Sequence, residues 1–321
     1  MERPRRYVRP TITRSRFVLE LASELVGNTA WPYLQARVIL REKGKDPWKE
    51  VCLFGSDACD AIPEVARGDV QVAILNPSQL LTLALRGRGP FPEPLPLRTI
   101  TIIPSLDQLA FAVSERTGLT SLSQIRERRF PLRLSLRGEP HHSIHIVVKE
   151  VLSQLGFSLE DIVAWGGQVR YDPAMPDRPT RIGAVGRGEI DAIFDEALDS
   201  WADMALDLGM RFLPLEEPIL QSLEETGFRR AAIPKAEYPR LAKDVPTLDF
   251  SGFAVYTHAD APEEVIQGIC AALEARKDRI PWQGEGPLPL ERMCRDTPEG
   301  PLGVPLHPAA RSFWQAQGYI P

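Results

Sequence analysis

The stretch from Val51 to Leu85 constrains the fold more than any other, because it repeats one grammar twice. VCLF (51–54) reads as a strand, and residues 60–67 read as a short helix with Pro63 tolerated in its first turn and Gly68 at its end. VQVAIL (70–75) is a β-branched apolar run, and Asn76-Pro77-Ser78 opens a helix over residues 79–85. A strand apolar on both faces must be covered on both sides. Alternation of such strands with helices calls for an α/β fold with parallel strands.

The alternation continues along the chain. Strands are expected at residues 97–103, 108–113, 132–136, 162–165, 190–194 and 210–213, with extended segments at 228–233 and 245–255. Helices are expected within residues 118–126 and over residues 180–187, 219–225, 262–276 and 308–317. Ile144, Val147, Val148, Val151, Leu152 and Leu155 fall at helical spacing before Gly156, which marks one more helix and its C-terminal cap. Upstream, FVLELA (17–22) reads as a first strand and residues 32–41 as a helix capped by Asn28 or Thr29. The connections are Pro-rich, RGRGPFPEPLP (86–96) above all, in keeping with 30 prolines in the chain.

At 321 residues the chain is long for one core, so two domains are expected. No apolar run approaches a membrane span. The net charge of −5 argues against a dedicated nucleic-acid binder. The four cysteines, Cys52, Cys59, Cys270 and Cys294, form no CxxC pair and read as free thiols of a reducing compartment. Arg3, Arg5 and Arg6 precede no apolar region of signal-peptide length, so the chain as written is expected in the cytoplasm, or in the periplasm if a start lies upstream.

Several segments in order resemble a known family. FGSDACDAIPEVARGDVQVAIL, GLTSLSQIRERRFPLRLSLRG and RGEIDAIFDEALD resemble units of type II periplasmic binding proteins. IPKAEYPRLAKDVPTLDFSGFAVYTHADAPEEVI and the tail PLHPAARSFWQAQG are similar to the TAXI solute-binding proteins of tripartite (TRAP) transporters. The resemblance implies two α/β lobes, joined by a double-crossover hinge, that close on a small molecule. The crossings fall near residues 105–113 and 248–256, so one lobe holds residues 1–107 and 248–321 and the other residues 108–247. It implies a monomer without cofactor, binding a small organic acid or amino-acid-like solute and working with TRAP membrane subunits.

Site residues follow from the same comparison. Asn28, Thr29 and Trp31 match the family's first ligand loop; simple helix capping, with Trp31 in the core, is the competing reading. Asn76 and Ser78 end a strand that faces the family's cleft, and either can instead cap the next helix. In SLRGEPHHS (135–143) the family's Gly/Ser-rich turn is replaced by bulkier groups. Arg137 there suits a carboxylate, and His141, His142 and Ser143 line a helix start that favours anions. Asp195 and Glu196 suit a cationic group of the ligand, or pair with Arg137. His141 and His145 stand four apart near Glu139, but no third ligand at the right spacing is evident and no metal is assigned. His307 reads as a structural cap. An enzyme on the same scaffold, such as a decarboxylase of an organic acid using the Arg137–His142 loop, is the alternative; no nucleophile stands beside a base to support it.

Overall fold

The computed structural model describes residues 10–27, 35–42, 49–56, 59–139 and 141–321. The chain opens with helix α1 (Pro10–Gly27), then the strands β1 (Gln35–Glu42) and β2 (Lys49–Ser56). There follow α2 (Ala61–Ala66), β3 (Val72–Leu75), α3 (Gln79–Arg86) and β4 (Leu97–Ile103). The next run is β5 (Ala110–Ser114), α4 (Ser123–Glu127), β6 (Arg133–Arg137), α5 (Ser143–Gln154), α6 (Leu159–Ala164) and β7 (Gln168–Asp172). It continues with α7 (Ile182–Gly186), β8 (Ala192–Asp195), α8 (Ala202–Asp207), β9 (Met210–Phe212), α9 (Glu217–Thr226), β10 (Arg230–Ile233) and β11 (Val245–Leu248). The chain ends with β12 (Phe253–His258), α10 (Glu263–Arg276), α11 (Leu290–Met293) and α12 (Pro308–Ala316).

Two five-stranded sheets carry the architecture, in the orders β1-β2-β3-β12-β4 and β7-β6-β8-β5-β9. A small antiparallel pair joins β10 to β11. The fold is therefore α/β with two sheets, as expected. The first sheet takes its strands from both ends of the chain, because β12 returns to lie between β3 and β4. Two chain segments thus pass between the sheets, side by side. Gln108 bridges Asp249, the Leu109 amide donates to the Leu248 carbonyl at 3.0 Å, and the Phe250 amide donates to the Asp107 carbonyl at 2.8 Å.

The expectation of parallel strands throughout is corrected. Among the described strand pairs only β2–β3, β6–β7 and β6–β8 run parallel. β1–β2 is an antiparallel pair, and the returning β12 and the crossing β5 run antiparallel to their neighbours. β4 and β8 end beside the crossings, at Ile103 and Asp195, whereas β12 and β5 start there, at Phe253 and Ala110, so they run the other way.

Three local expectations are corrected as well. Residues 17–22 are helical within α1: ELASEL is built of good helix formers, and Arg16 pairs with Glu20 one turn on at 3.4 Å. The expected helix over residues 32–41 is strand β1 from Gln35 onward, with Val38 and Ile39 in register against Leu53 and Cys52. Residues 32–34, and the proposed caps Asn28 and Thr29, lie outside the described residues. The expected strand at residues 162–165 belongs to α6, which opens with a reciprocal capping box between Ser158 and Asp161.

One continuous core cluster runs from Phe54, Ile62 and Leu80 of the first sheet and its helices to Leu134, Val148 and Phe194 of the second. His307 accepts from the Ala309 amide at 3.2 Å and caps α12, the structural role expected of it. All four cysteines are free.

Candidate functional site

The strands β7, β6 and β8 lie side by side and parallel, so their C-terminal ends form one edge. Each ends in an ionisable residue: Asp172, Arg137 and Asp195. Arg137 stands opposite Asp172 in the register. Such an edge, with a helix starting beyond it, is where open α/β sheets hold ligands. Gly138 makes the edge tight, since a Cβ there would meet the Pro173 backbone nitrogen at 2.5 Å.

Arg137 and Asp195 meet, as does Glu196. One terminal nitrogen of Arg137 donates to Asp195 Oδ1 at 2.8 Å and contacts Glu196 Oε1. The other terminal nitrogen lies against the Met175 sulfur. Arg137 is 7% exposed, and its Nε has no hydrogen-bond partner among the described residues. Asp195 is fully buried and is held from its other side by Arg181, whose Nη1 donates to Oδ2 at 2.6 Å. Burial alone would raise the Asp195 pKa; Arg137 and Arg181 overcome it and hold the carboxyl below its ordinary value.

Sequence reasoning missed the residues that fix this centre. Arg181 donates from Nε to Ser135 Oγ at 2.9 Å, and Ser135 Oγ donates to Asp172 Oδ2 at 2.7 Å. Asp107, on the first crossing, accepts the Ala197 amide at 2.7 Å and the Leu198 amide at 3.4 Å, and so caps the turn that follows Glu196. The only sequence signal for Asp107 was its place in the expected crossing. Arg181 gave none beyond an arginine at the start of a helix.

The helix beyond β6 is α5. His142 caps it, its Nδ1 accepting from the Ile144 amide at 3.2 Å. Burial, aided by Arg137, drives the His142 pKa down to about 3, so the ring is neutral. Ser143 is buried in the first turn. His145 is buried, shares a contact of 3.0 Å with the Glu139 carbonyl and stacks obliquely on Tyr171; its pKa is also lowered by burial. His141 is exposed, and its carbonyl accepts the Cys59 amide at 3.3 Å. That bond joins α5's approach to α2's approach across the two sheets.

Between these approaches lies a cavity of about 960 Å³. Cys59 and Asp60 line it from the first sheet's side, with the loop Pro90–Pro96; His141 and His142 line it from the turn before α5, and His145 and Lys149 from α5. A second cavity of about 570 Å³ lies beside the crossings, lined by Asn76, Asp107, Glu196, Asp199, Phe253 and Trp282.

Asn76 and Ser78 are engaged by the protein itself. The Asn76 amide donates to the Phe250 and Gly252 carbonyls at 3.1 and 3.3 Å, and Ser78 Oγ donates to the Pro301 carbonyl at 3.0 Å. Asn76, and Ser78 through the Ser251 carbonyl at 3.3 Å, tie β3's end to the second crossing. Asn28, Thr29 and Trp31 lie outside the described residues. Among the described residues no group of three or more His, Cys, Asp or Glu side chains is arranged to hold a metal ion.

Several solved structures are similar at low identity. A glycine betaine/L-proline-binding protein (ProX) of an ABC transporter from Borrelia burgdorferi is 10% identical over 63% of this chain and 62% of its own, with a TM-score of 0.36. A TctC solute-binding protein from Polaromonas is 14% identical over 66% of each chain, with a TM-score of 0.33. An ATP phosphoribosyl transferase complex (HisG:HisZ) from Thermotoga maritima is 10% identical over 80% of this chain and 89% of its own, with a TM-score of 0.35. This chain spans less than two thirds of the first of these. Similarity at these TM-scores carries no argument about what the chain does. No curated protein matches the chain. The NMT1-like family model, in contrast, matches residues 57–318, from the approach to α2 through the end of α12. On that match the chain belongs to the NMT1-like family.

Proposed function

We propose that the protein binds a small organic acid or amino-acid-like solute in the cavity between α2 and α5. The observation that carries this reading is the cavity itself: about 960 Å³, a size suited to a small molecule, with walls built from elements of both sheets. Its chemistry suits a molecule bearing both signs of charge. Lys149 and Arg67 supply positive charge. Asp60 and Glu150 offer places for an ammonium group.

In this reading the two sheets are the cores of two lobes, residues 1–107 with 248–321 and residues 108–247. The paired segments around residues 105–109 and 248–252 are the hinge. The ligand favours the closed arrangement because only there do both walls touch it. The tail and the IPKAEYP segment support a TAXI-type role, in which the closed form, acting as a monomer, serves TRAP membrane subunits. Chemistry in the cavity has little support. Burial pushes the Cys59 thiol up to about 12, and the His142 ring is committed to capping α5.

The test is a thermal-shift screen against amino acids, dicarboxylates, aromatic acids and phosphonates at millimolar concentration, followed by mass spectrometry of the compound. A ligand of the native state raises the melting temperature by mass action. A rise with one class, the compound left intact, is expected. Consumption of the compound would turn the reading to an enzyme, and a flat response would remove it.

A further inference from the structure

The loop that walls the cavity between α2 and α5 is poor in hydrogen-bond donors. Pro90, Pro92, Pro94 and Pro96 all line the cavity, and proline carries no N–H. The loop's other lining residues are Phe91, Glu93 and Leu95. Two of their three amides are already taken: Phe91 donates to the Arg88 carbonyl at 3.2 Å, and Leu95 to the Ala84 carbonyl at 2.9 Å. The wall therefore meets a ligand mainly with C–H groups and ring faces. It is also held in place from its start. Gly87 has φ +61, and a Cβ there would meet the Glu93 carbonyl carbon and the Pro94 nitrogen at 2.6 Å.

The α5 side continues this character. His142, His145 and Ile146 line it, and burial keeps both imidazoles toward their neutral form. Pro63 and Ala66 add apolar surface from α2. Positive charge enters at two points. Arg67 is paired with Asp69 at 2.9 Å. Lys149 is exposed and makes no ion pair among the described residues, so it is the cation left for a ligand.

We propose that the solute is an aromatic acid, its ring against the Pro90–Pro96 wall and its carboxylate on Lys149. The proposal rests on the reading of this cavity as the solute site and narrows the class of solute. A polar body, such as that of a dicarboxylate, would lose its water against this wall and find few donors in return. A ring gains from the same burial, and its faces and edges pack well on proline, Phe91 and imidazole. An amino group, where the acid carries one, falls to Asp60.

Isothermal titration calorimetry of the full chain tests the class with two matched pairs, benzoate against succinate and L-phenylalanine against L-glutamate. Each aromatic compound should bind about tenfold more tightly than its partner, the return on burying a ring. Cyclohexanecarboxylate, apolar but without a π face, should bind about threefold more weakly than benzoate. Lys149→Gln, at an exposed position, should fold as the wild type does and weaken benzoate about tenfold. Succinate or L-glutamate binding as tightly as its aromatic partner overturns the class and leaves the solute reading standing. Equal binding of cyclohexanecarboxylate and benzoate overturns the aromatic preference. Unchanged benzoate affinity in folded Lys149→Gln overturns the placement of the carboxylate. Binding of none of the five compounds overturns the proposal, and a flat response across the wider thermal-shift panel is what would remove the solute reading as well.

Discussion

Asp195 is the residue on which the centre's electrostatics turn. It is fully buried and matched on each oxygen by an arginine, Arg137 on one and Arg181 on the other. Removing one member of such a set strands the rest of the charge. Asp195→Asn should cost about 3–5 kcal/mol, read by urea denaturation at neutral pH. The pKa of Asp195 is lowered in the folded state, so its contribution is present above the unfolded value and is lost as pH falls through the folded one. The variant should therefore lose stability less steeply in acid than the wild type; parallel curves would contradict this assignment. The meeting of Arg137 with Asp195 and Glu196 was legible in the sequence, because each residue followed an expected strand. Arg181, Ser135 and Asp172 were not, since their partners come from distant parts of the chain and no local pattern announces a buried ion pair.

At the scale of elements, the cap of α5 links local structure to the cavity. His142 acts as an acceptor only while its ring is neutral, and its pKa is held down to about 3. The neutral form's stabilisation is present above the unfolded value of about 6.5 and is lost as pH falls below it. His142→Asn keeps a capping acceptor. It should match the wild type within about 1 kcal/mol near pH 8 and lose less stability on acidification. A variant with the wild-type acid slope would show that the ring titrates normally. The second crossing is tightly packed at Gly252. Gly252 has φ +80, and a Cβ there would meet Ile102 at 2.9 Å and Pro301 at 3.2 Å. Gly252→Ala should cost about 1–3 kcal/mol by thermal denaturation; no loss would mean that the crossing rearranges freely. Elements with a clear period and a stop signal, such as α5, β4 and α10, were readable from the sequence. FVLELA and residues 162–165 were not, because short apolar runs fit strand and helix alike. There tertiary pairing decides, as in β1 against β2, or a cap decides, as in the Ser158–Asp161 box of α6.

For the whole molecule, the sheet orders and the paired crossings beside Asp107 and Asp249 are what make lobe motion a sensible mechanism. The two-sheet plan followed from the strand–helix alternation and the resemblance together. The mixed strand directions did not, because a returning strand such as β12 looks locally like any other. Closure predicts a smaller radius of gyration in small-angle scattering when a ligand is present; an unchanged radius in the presence of a bound compound would contradict the hinge. The claim that matters most is where the ligand sits. The most direct measurement is a crystal structure of the protein with the compound that raises its melting temperature furthest. Electron density is expected in the cavity between Asp60 and His142, with an acidic group of the compound turned toward Lys149. Density instead beside the crossings, among Asn76, Phe253 and Trp282, or on the outer surface, would contradict it.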